Sequence, residues 1–362
     1  MLSERRIIDM IRSGDLKFPP LKLNLRKMEV QAKGWICDVL LDAKWEGQSF
    51  RFAAEVKRYS SDKSVADAIL QSKRLANELS VLPMVITPWL SEEQLEKLQA
   101  ELVSGIDLSG NGVVIVPGKL MIVKSGKPNA YPDTRAVKNV YEGTSSLVGR
   151  VFLVRPVFSS VNEIVEEIRS RSGSITQPTV SKALKQLEAD VTVWRGKEGI
   201  KLLQADKLLE RLMQNWKAPG RLDTISGKLS ASGEEIVRVI SSAATKAEAE
   251  IVMTGSCSVG AYATMAREDL FEFYCDVDPT KIIYALGKKV DLSSRFPNFR
   301  LIRTSDPLVY FDKRLEEQKL FASPVQCYLE LMQGDKREKE TGLQVKKFIL
   351  KEVEAGGGEH QQ

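Results

Sequence analysis

Three side chains in the stretch GWICDVLLDAKWEGQSFRFAAEVKR, residues 34–58, suit one kind of chemistry: Asp38, Glu55 and Lys57. Two carboxylates held close together repel unless a cation or a proton lies between them. Magnesium, a hard, octahedral, oxygen-seeking ion, suits such a pair. An ammonium beside them can position a water or stabilise charge developing on a phosphate. The chemistry would be metal-assisted reaction at a phosphate.

A hairpin has to bring these residues together. Glu46-Gly47 reads as its two-residue turn, because Gly accepts the positive φ such a turn needs. Trp45 then faces Gln48, and the pairing runs outward from there. Cys37, Val39, Leu41 and Ala43 fall opposite Val56, Ala54, Phe52 and Phe50, eight apolar residues on one face of the pleat. The other face sets Asp42 against Arg51 and Asp38 directly against Glu55, with Lys57 two residues on and pointing the same way.

Composition removes other chemistries. The 362 residues hold one histidine, His360, in a tail that reads as frayed, so a Ser-His-Asp triad, a Cys-His pair and a His-rich metal site are excluded. The four cysteines, Cys37, Cys257, Cys275 and Cys327, lie far apart, against a disulfide framework or a Cys-based zinc site. The chain is 43% hydrophobic and 28% charged, enough apolar material for real cores. A net charge of +5 permits an anionic partner without demanding one. No apolar run is long enough for a bilayer and the start lacks a signal-peptide core, so the expectation is a cytoplasmic protein with no membrane partner.

Texture divides the chain into residues 1–140, 144–218 and 221–350, with a linker-like SGKPNAYPDT at 125–134 and a disordered tail at 351–362. The expected class is multidomain α/β and α+β. After the hairpin, residues 64–79 read as a helix, 80–88 as a buried strand, 91–103 as a helix capped by Ser91, and 105–116 as strand, turn, strand.

In this context Asp38, Glu55 and Lys57, spaced as D-x16-E-V-K, resemble the PD-(D/E)XK nuclease superfamily, especially its Mrr and Holliday-resolvase-like branches. The resemblance implies a restriction-endonuclease-like mixed sheet, catalytic roles for Asp38, Glu55 and Lys57, and a magnesium ion on Asp38 and Glu55. It also implies a glutamine on the following helix, matched in kind by Gln71. Glu4 is the candidate for the acidic residue of the family's first helix.

The middle region reads as three helices and a two-stranded wing: 144–155, 159–173, 175–190 and 191–204. Thr176 can cap the third helix, and Pro178 sits in its first turn, where a missing N–H costs nothing. Val180, Ala183, Leu184 and Leu187 would face inward. This order resembles winged helix-turn-helix DNA-binding domains, with QPTVSKALKQLE as the recognition helix. Gln177, Thr179, Ser181, Lys182 and Lys185 lie off the inward face and offer donors to base edges and phosphates. Arg195 and Lys197 on the wing would meet phosphate or the minor groove.

The last third reads as a small α/β domain, with residues 251–269 as strand, turn and helix, 270–276 and 281–286 as strands, and 309–350 as mostly helix. Thr254-Gly255-Ser256 is a connecting turn, or a polar turn at a ligand. TGSCSVGAYA (254–263) and SPVQCYLELMQGDKREKE (323–340) resemble AbiEi-type antitoxins of type IV toxin–antitoxin systems. That resemblance implies a promoter-binding regulator with a cognate nucleotidyltransferase toxin as partner. A homodimer is a further expectation. The first reading is therefore a prokaryotic transcriptional regulator that binds double-stranded DNA and carries a nuclease-like N-terminal domain. The alternative is a magnesium-dependent DNA endonuclease guided by its winged helix.

Overall fold

The computed structural model describes residues 2–131, 139–231, 233–264, 270–287, 290–293, 295–316 and 319–358. The end of the expected linker at 125–134 lies outside them. The chain forms two units, Met1–Ala136 with Ala189–Val191, and Val137–Glu188 with Thr192–Gln362.

In the first unit α1 (Glu4–Ser13) is followed by β1 (Lys22–Ala32), β2 (Trp35–Trp45), β3 (Gln48–Val56), α2 (Asp62–Leu79), β4 (Leu82–Thr87), α3 (Glu92–Ala100), β5 (Ser104–Asp107), β6 (Gly112–Val116) and β7 (Leu120–Lys124). The seven strands form one sheet in sequence order. The β3–β4 and β4–β5 pairs are parallel and the rest antiparallel. Parallel neighbours need a crossover, which α2 and α3 supply. Glu46 and Gly47 both take positive φ, 45° and 79°, and this turn fixes the β2–β3 register. Trp45 pairs with Gln48, and the ladder runs to Val39 opposite Ala54.

The two sheet faces bury different sets. Ile7 and Ile11 of α1 pack with Val39, Leu41, Phe52, Ala54, Met84 and Ile86. Val65, Ala68 and Ile69 of α2 and Leu95 and Leu98 of α3 pack with Val85, Val113 and Ile115. Ser61 caps α2, and Ser91 and Gln94 form a capping box on α3. Cys37 corrects the expected pattern: it is buried, but packs with Ala32, Ala53, Leu75 and Ala76 beside α2.

The second unit begins with α4 (Ser146–Phe152), β8 (Val157–Phe158), α5 (Val161–Ser170), α6 (Gln177–Ala189), β9 (Val193–Gly196), β10 (Gly199–Leu202) and α7 (Ala205–Gln214). Its small sheet has the order β8-β10-β9. Then follow β11 (Asp223–Leu229), α8 (Gly233–Lys246), β12 (Ile251–Thr254), a 3-10 turn (Gly255–Ala261), β13 (Phe271–Cys275), α9 (Pro279–Leu286), β14 (Val290–Asp291), β15 (Phe299–Arg303), β16 (Arg314–Glu316), β17 (Lys319–Phe321), α10 (Pro324–Leu331) and α11 (Lys336–Gly358). The second sheet is mixed, in the order β14-β11-β15-β13-β12-β17-β16. Residues 144–218 and 221–350, which composition separates, share one continuous core. Phe152, Phe158, Leu184 and Leu187 belong to the same cluster as Val309, Phe311, Tyr328 and Val345.

Three expectations are corrected here. Residues 281–286 are helix, not strand: Asp278 caps α9 by accepting the Thr280 N–H, Pro279 opens it, and Ile282 and Leu286, four apart, are buried. The stretch 309–350 is not mostly helix at its start, because β16 and β17 form an antiparallel hairpin there. The chain does not fray at 351: α11 continues to Gly358, with Val345, Ile349 and Val353 buried at four-residue spacing. Among the described residues no helix is long and apolar enough to cross a membrane.

Candidate functional site

The hairpin ladder ends at Val39 and Ala54, one step before the predicted Asp38–Glu55 pair. Asp38 therefore does not stand in regular register opposite Glu55. Its Oδ2 instead accepts the Val56 backbone N–H at 2.8 Å, which holds the half-buried carboxylate at the mouth of the hairpin. Glu55 is buried. Lys57 Nζ donates to Glu55 Oε1 and to Gln71 Oε1, each at 2.7 Å, so α2 and the end of β3 hold the ammonium between them. Asp38, Glu55, Lys57 and Gln71 thus form one cluster at the C-terminal end of β3. Asp42 and Arg51, paired as expected, bond at 3.0 Å further along the hairpin, and Arg26 of β1 joins them.

The electrostatics of the cluster are unfavourable to bare carboxylates. Burial pushes the Glu55 carboxyl above its ordinary value; Lys57 opposes the shift and the charge of Asp38 adds to it. Burial also raises Asp38, opposed by the Val56 N–H and by Lys57, with Glu4 and Glu29 adding to the rise. Glu4, in the first turn of α1, thus acts on both carboxyls. Glu55 Oε2 is buried and makes no hydrogen bond. A buried anionic oxygen without a donor costs free energy that a cation would recover. The donor set is all oxygen, which fits magnesium, an ion commonly held by one or two carboxylates with several waters retained. Among the described residues no three Asp, Glu, His or Cys side chains gather as a larger metal cage would require. The residues present fit a two-carboxylate site.

The second candidate surface lies on α6 and the β9–β10 hairpin. Val180, Ala183, Leu184 and Leu187 are buried, which turns the remaining face of α6 outward. Gln177, Lys182 and Lys185 are exposed, and Thr179 and Ser181 are half-buried. Gln177 Nε2 donates to Asn162 Oδ1 at 2.9 Å, and the Thr176 and Thr179 hydroxyls bond to each other at 2.9 Å. Arg195 and Lys197 are exposed on the hairpin, beside Trp194, over whose ring Lys201 lies at 5.9 Å.

Besides these surfaces, the molecule holds two further polar features. Exposed Trp35 carries the Arg74 guanidinium 4.5 Å from its ring centroid. Trp35 stands at the start of β2, the strand that carries Asp38, and Arg74 lies on α2 one helical turn beyond Gln71. The exposed ring at the start of a strand was the available signal. The other feature is a buried polar chain in the second unit. Thr254 Oγ1 donates to Glu330 Oε2, while Tyr274 OH and Gln326 Nε2 donate to Glu330 Oε1, at 3.2 and 2.8 Å. Burial pushes the Glu330 carboxyl up, and these donors, with the Gly255 N–H, pull it back. The turn at Thr254 therefore serves a half-buried carboxylate. Gly255 takes φ 66°, and a Cβ there would lie 2.6 Å from a carboxylate oxygen of Glu272. The 3-10 turn and α10 also meet through Ser258 and Cys327, 2.9 Å apart.

No family model matches the sequence, and no curated protein matches it. A repair endonuclease from Pyrococcus abyssi is similar in structure over 30% of this chain and 48% of its own, at 19% identity and a TM-score of 0.24; the chain spans about half the length of that protein.

Proposed function

We propose that this protein binds duplex DNA and that its first unit hydrolyses phosphodiester bonds with the help of magnesium held by Asp38 and Glu55. One observation carries the reading: a buried carboxylate oxygen, Glu55 Oε2, left without a donor beside a second carboxylate and an ammonium. A magnesium ion on these two residues would supply positive charge against the oxygens of the scissile phosphate. The Val56 N–H orients Asp38. Gln71 and Glu55 hold Lys57, whose ammonium is placed to position a water or to meet charge developing on the phosphate. Trp35 with Arg74 offers an exposed stacking and cationic surface in the same unit. This arrangement of sheet, helices and residues is consistent with the PD-(D/E)XK resemblance.

Binding belongs to the second unit in this reading. The order of α4, β8, α5, α6, β9 and β10, with the strands arranged β8-β10-β9, supports a winged helix. Gln177, Thr179, Ser181, Lys182 and Lys185 would face the major groove, and Arg195 and Lys197 the backbone or minor groove. Calorimetric titration of magnesium into the intact protein tests the metal half. Saturable binding that Glu55→Gln weakens at least tenfold is expected; equal binding by both proteins would remove the site.

A second reading is favoured by the pairing of the cluster's other polar atoms among its own members. The Asp38 carboxylate accepts the Val56 N–H, and Lys57 is held by both Glu55 and Gln71. An unused nuclease-like unit attached to a transcriptional regulator, in its finer form an AbiEi-like antitoxin that acts with a nucleotidyltransferase toxin, would have this character. That protein would bind duplex DNA and cleave none of it with magnesium or manganese, and it would co-purify with its toxin.

A further inference from the structure

The second unit contains a partly open cavity of about 160 Å³ far in sequence from the carboxylate cluster. Arg150 of α4 lines it and is itself 2% exposed. Its Nη1 donates to Gln326 Oε1 at 2.8 Å, whereas Nε is buried and makes no hydrogen bond. Gln326 is neutral, so this contact leaves the charge uncancelled. Asp306 and Glu330 attract the guanidinium through space, with no hydrogen bond from it to either. Arg171 in the same unit shows what a structural arginine looks like here: it is less buried, yet it bonds both Glu167 and Asp312. A buried cation without a contacting anion is costly unless something pairs with it.

The cavity indicates what would do so. Cavities of about 150 Å³ hold a molecule the size of benzene, roughly six non-hydrogen atoms. Trp216 and Leu329 provide apolar wall, which suits a short hydrocarbon body. Asp306 also lines the cavity and would repel a second negative charge on a ligand, while Glu142 and Lys217 on the same lining pair with each other. We infer that this cavity is a binding site for a small organic monocarboxylate, whose carboxylate pairs with Arg150 and whose apolar part rests on Trp216 and Leu329. Guanidinium and carboxylate match in shape as well as in charge. The site is independent of the proposed nuclease reading.

The test is calorimetric titration of the intact protein with butyrate and benzoate as carboxylate probes, butyramide as the neutral isostere, and inorganic phosphate. Saturable binding of at least one carboxylate with Kd of about 1 mM or tighter is expected. Butyramide and phosphate should bind at least about tenfold more weakly. Arg150→Gln should weaken the carboxylate at least tenfold. Because a buried arginine variant can fail to fold, Ala218→Trp provides a second arm: Ala218 is exposed on the cavity lining, so an indole there adds bulk at the cavity without replacing a buried side chain. It too should weaken binding at least tenfold. No saturable binding of either carboxylate, equal binding of the amide or phosphate, or carboxylate binding unchanged in Ala218→Trp would each overturn the proposal.

Discussion

Glu55 is a buried carboxylate and Glu330 a half-buried one, beside two different seven-stranded sheets, and they are treated in opposite ways. Thr254, Tyr274, Gln326 and the Gly255 N–H all donate to Glu330, so each of its oxygens is engaged. Glu55 receives one ammonium on Oε1 and nothing on Oε2, with the charge of Asp38 working against it. A fully partnered buried anion fixes the packing of its neighbours. An incompletely partnered one is retained at a cost in stability, and functional sites are where such costs concentrate. The difference separates a structural carboxylate from one suited to a ligand.

The comparison breaks most sharply on activity. Asp38→Asn should lower DNA cleavage by roughly 10²–10³-fold, the scale on which electrostatic groups at a reaction centre act. Glu330→Gln should leave the rate within about twofold of the parent in the same assay. Stability then reverses the ranking. Glu330→Ala leaves Thr254, Tyr274 and Gln326 without their acceptor and should cost roughly 2–4 kcal/mol in urea unfolding. Glu55→Gln should not destabilise the protein lacking metal.

A smaller effect tests the division of labour. Lys182→Ala with Lys185→Ala should weaken duplex binding and flatten its salt dependence by about two in log–log slope, one for each phosphate that a lysine no longer neutralises. Gel shifts at several salt concentrations read this directly. The smallest effect concerns pH. Burial raises both Asp38 and Glu55, so the native state holds their protons more readily than the unfolded chain does. Their contribution to stability is full below the ordinary carboxylate range and is lost as pH rises through the raised native values. Thermal melts without metal should show that decline, Glu55→Gln should reduce its slope, and added magnesium should offset it.

The hairpin was legible because Glu46-Gly47 fixed its register and the apolar alternation had a buried face to satisfy. The ladder stops one pair short of Asp38 and Glu55, because the Asp38 side chain takes the Val56 N–H, which nothing in the residue types shows. The long strand β1 leaves no mark in the sequence: no regular buried face distinguishes it, and a register shift between Leu25 and Lys27 interrupts its alternation. The inward residues of α6 followed from helical period. KIIYAL misled because a short apolar run reads equally as strand or helix, and the Asp278-Pro279 start signal was the missed arbiter. The chain from Arg150 through Gln326 to Glu330 was beyond sequence reasoning, because 176 residues separate its first two members.

The central claim is that Asp38 and Glu55 serve hydrolysis of DNA. It is tested most directly by incubating the intact protein and its Asp38→Asn variant with supercoiled, linear and branched DNA, with magnesium and with chelator. Cleavage by the parent is expected only when magnesium is present, with an Asp38→Asn protein that shifts the same DNA in a gel but leaves it intact. Cleavage by Asp38→Asn at the parent rate, or a parent protein that leaves every DNA form uncut, would contradict it.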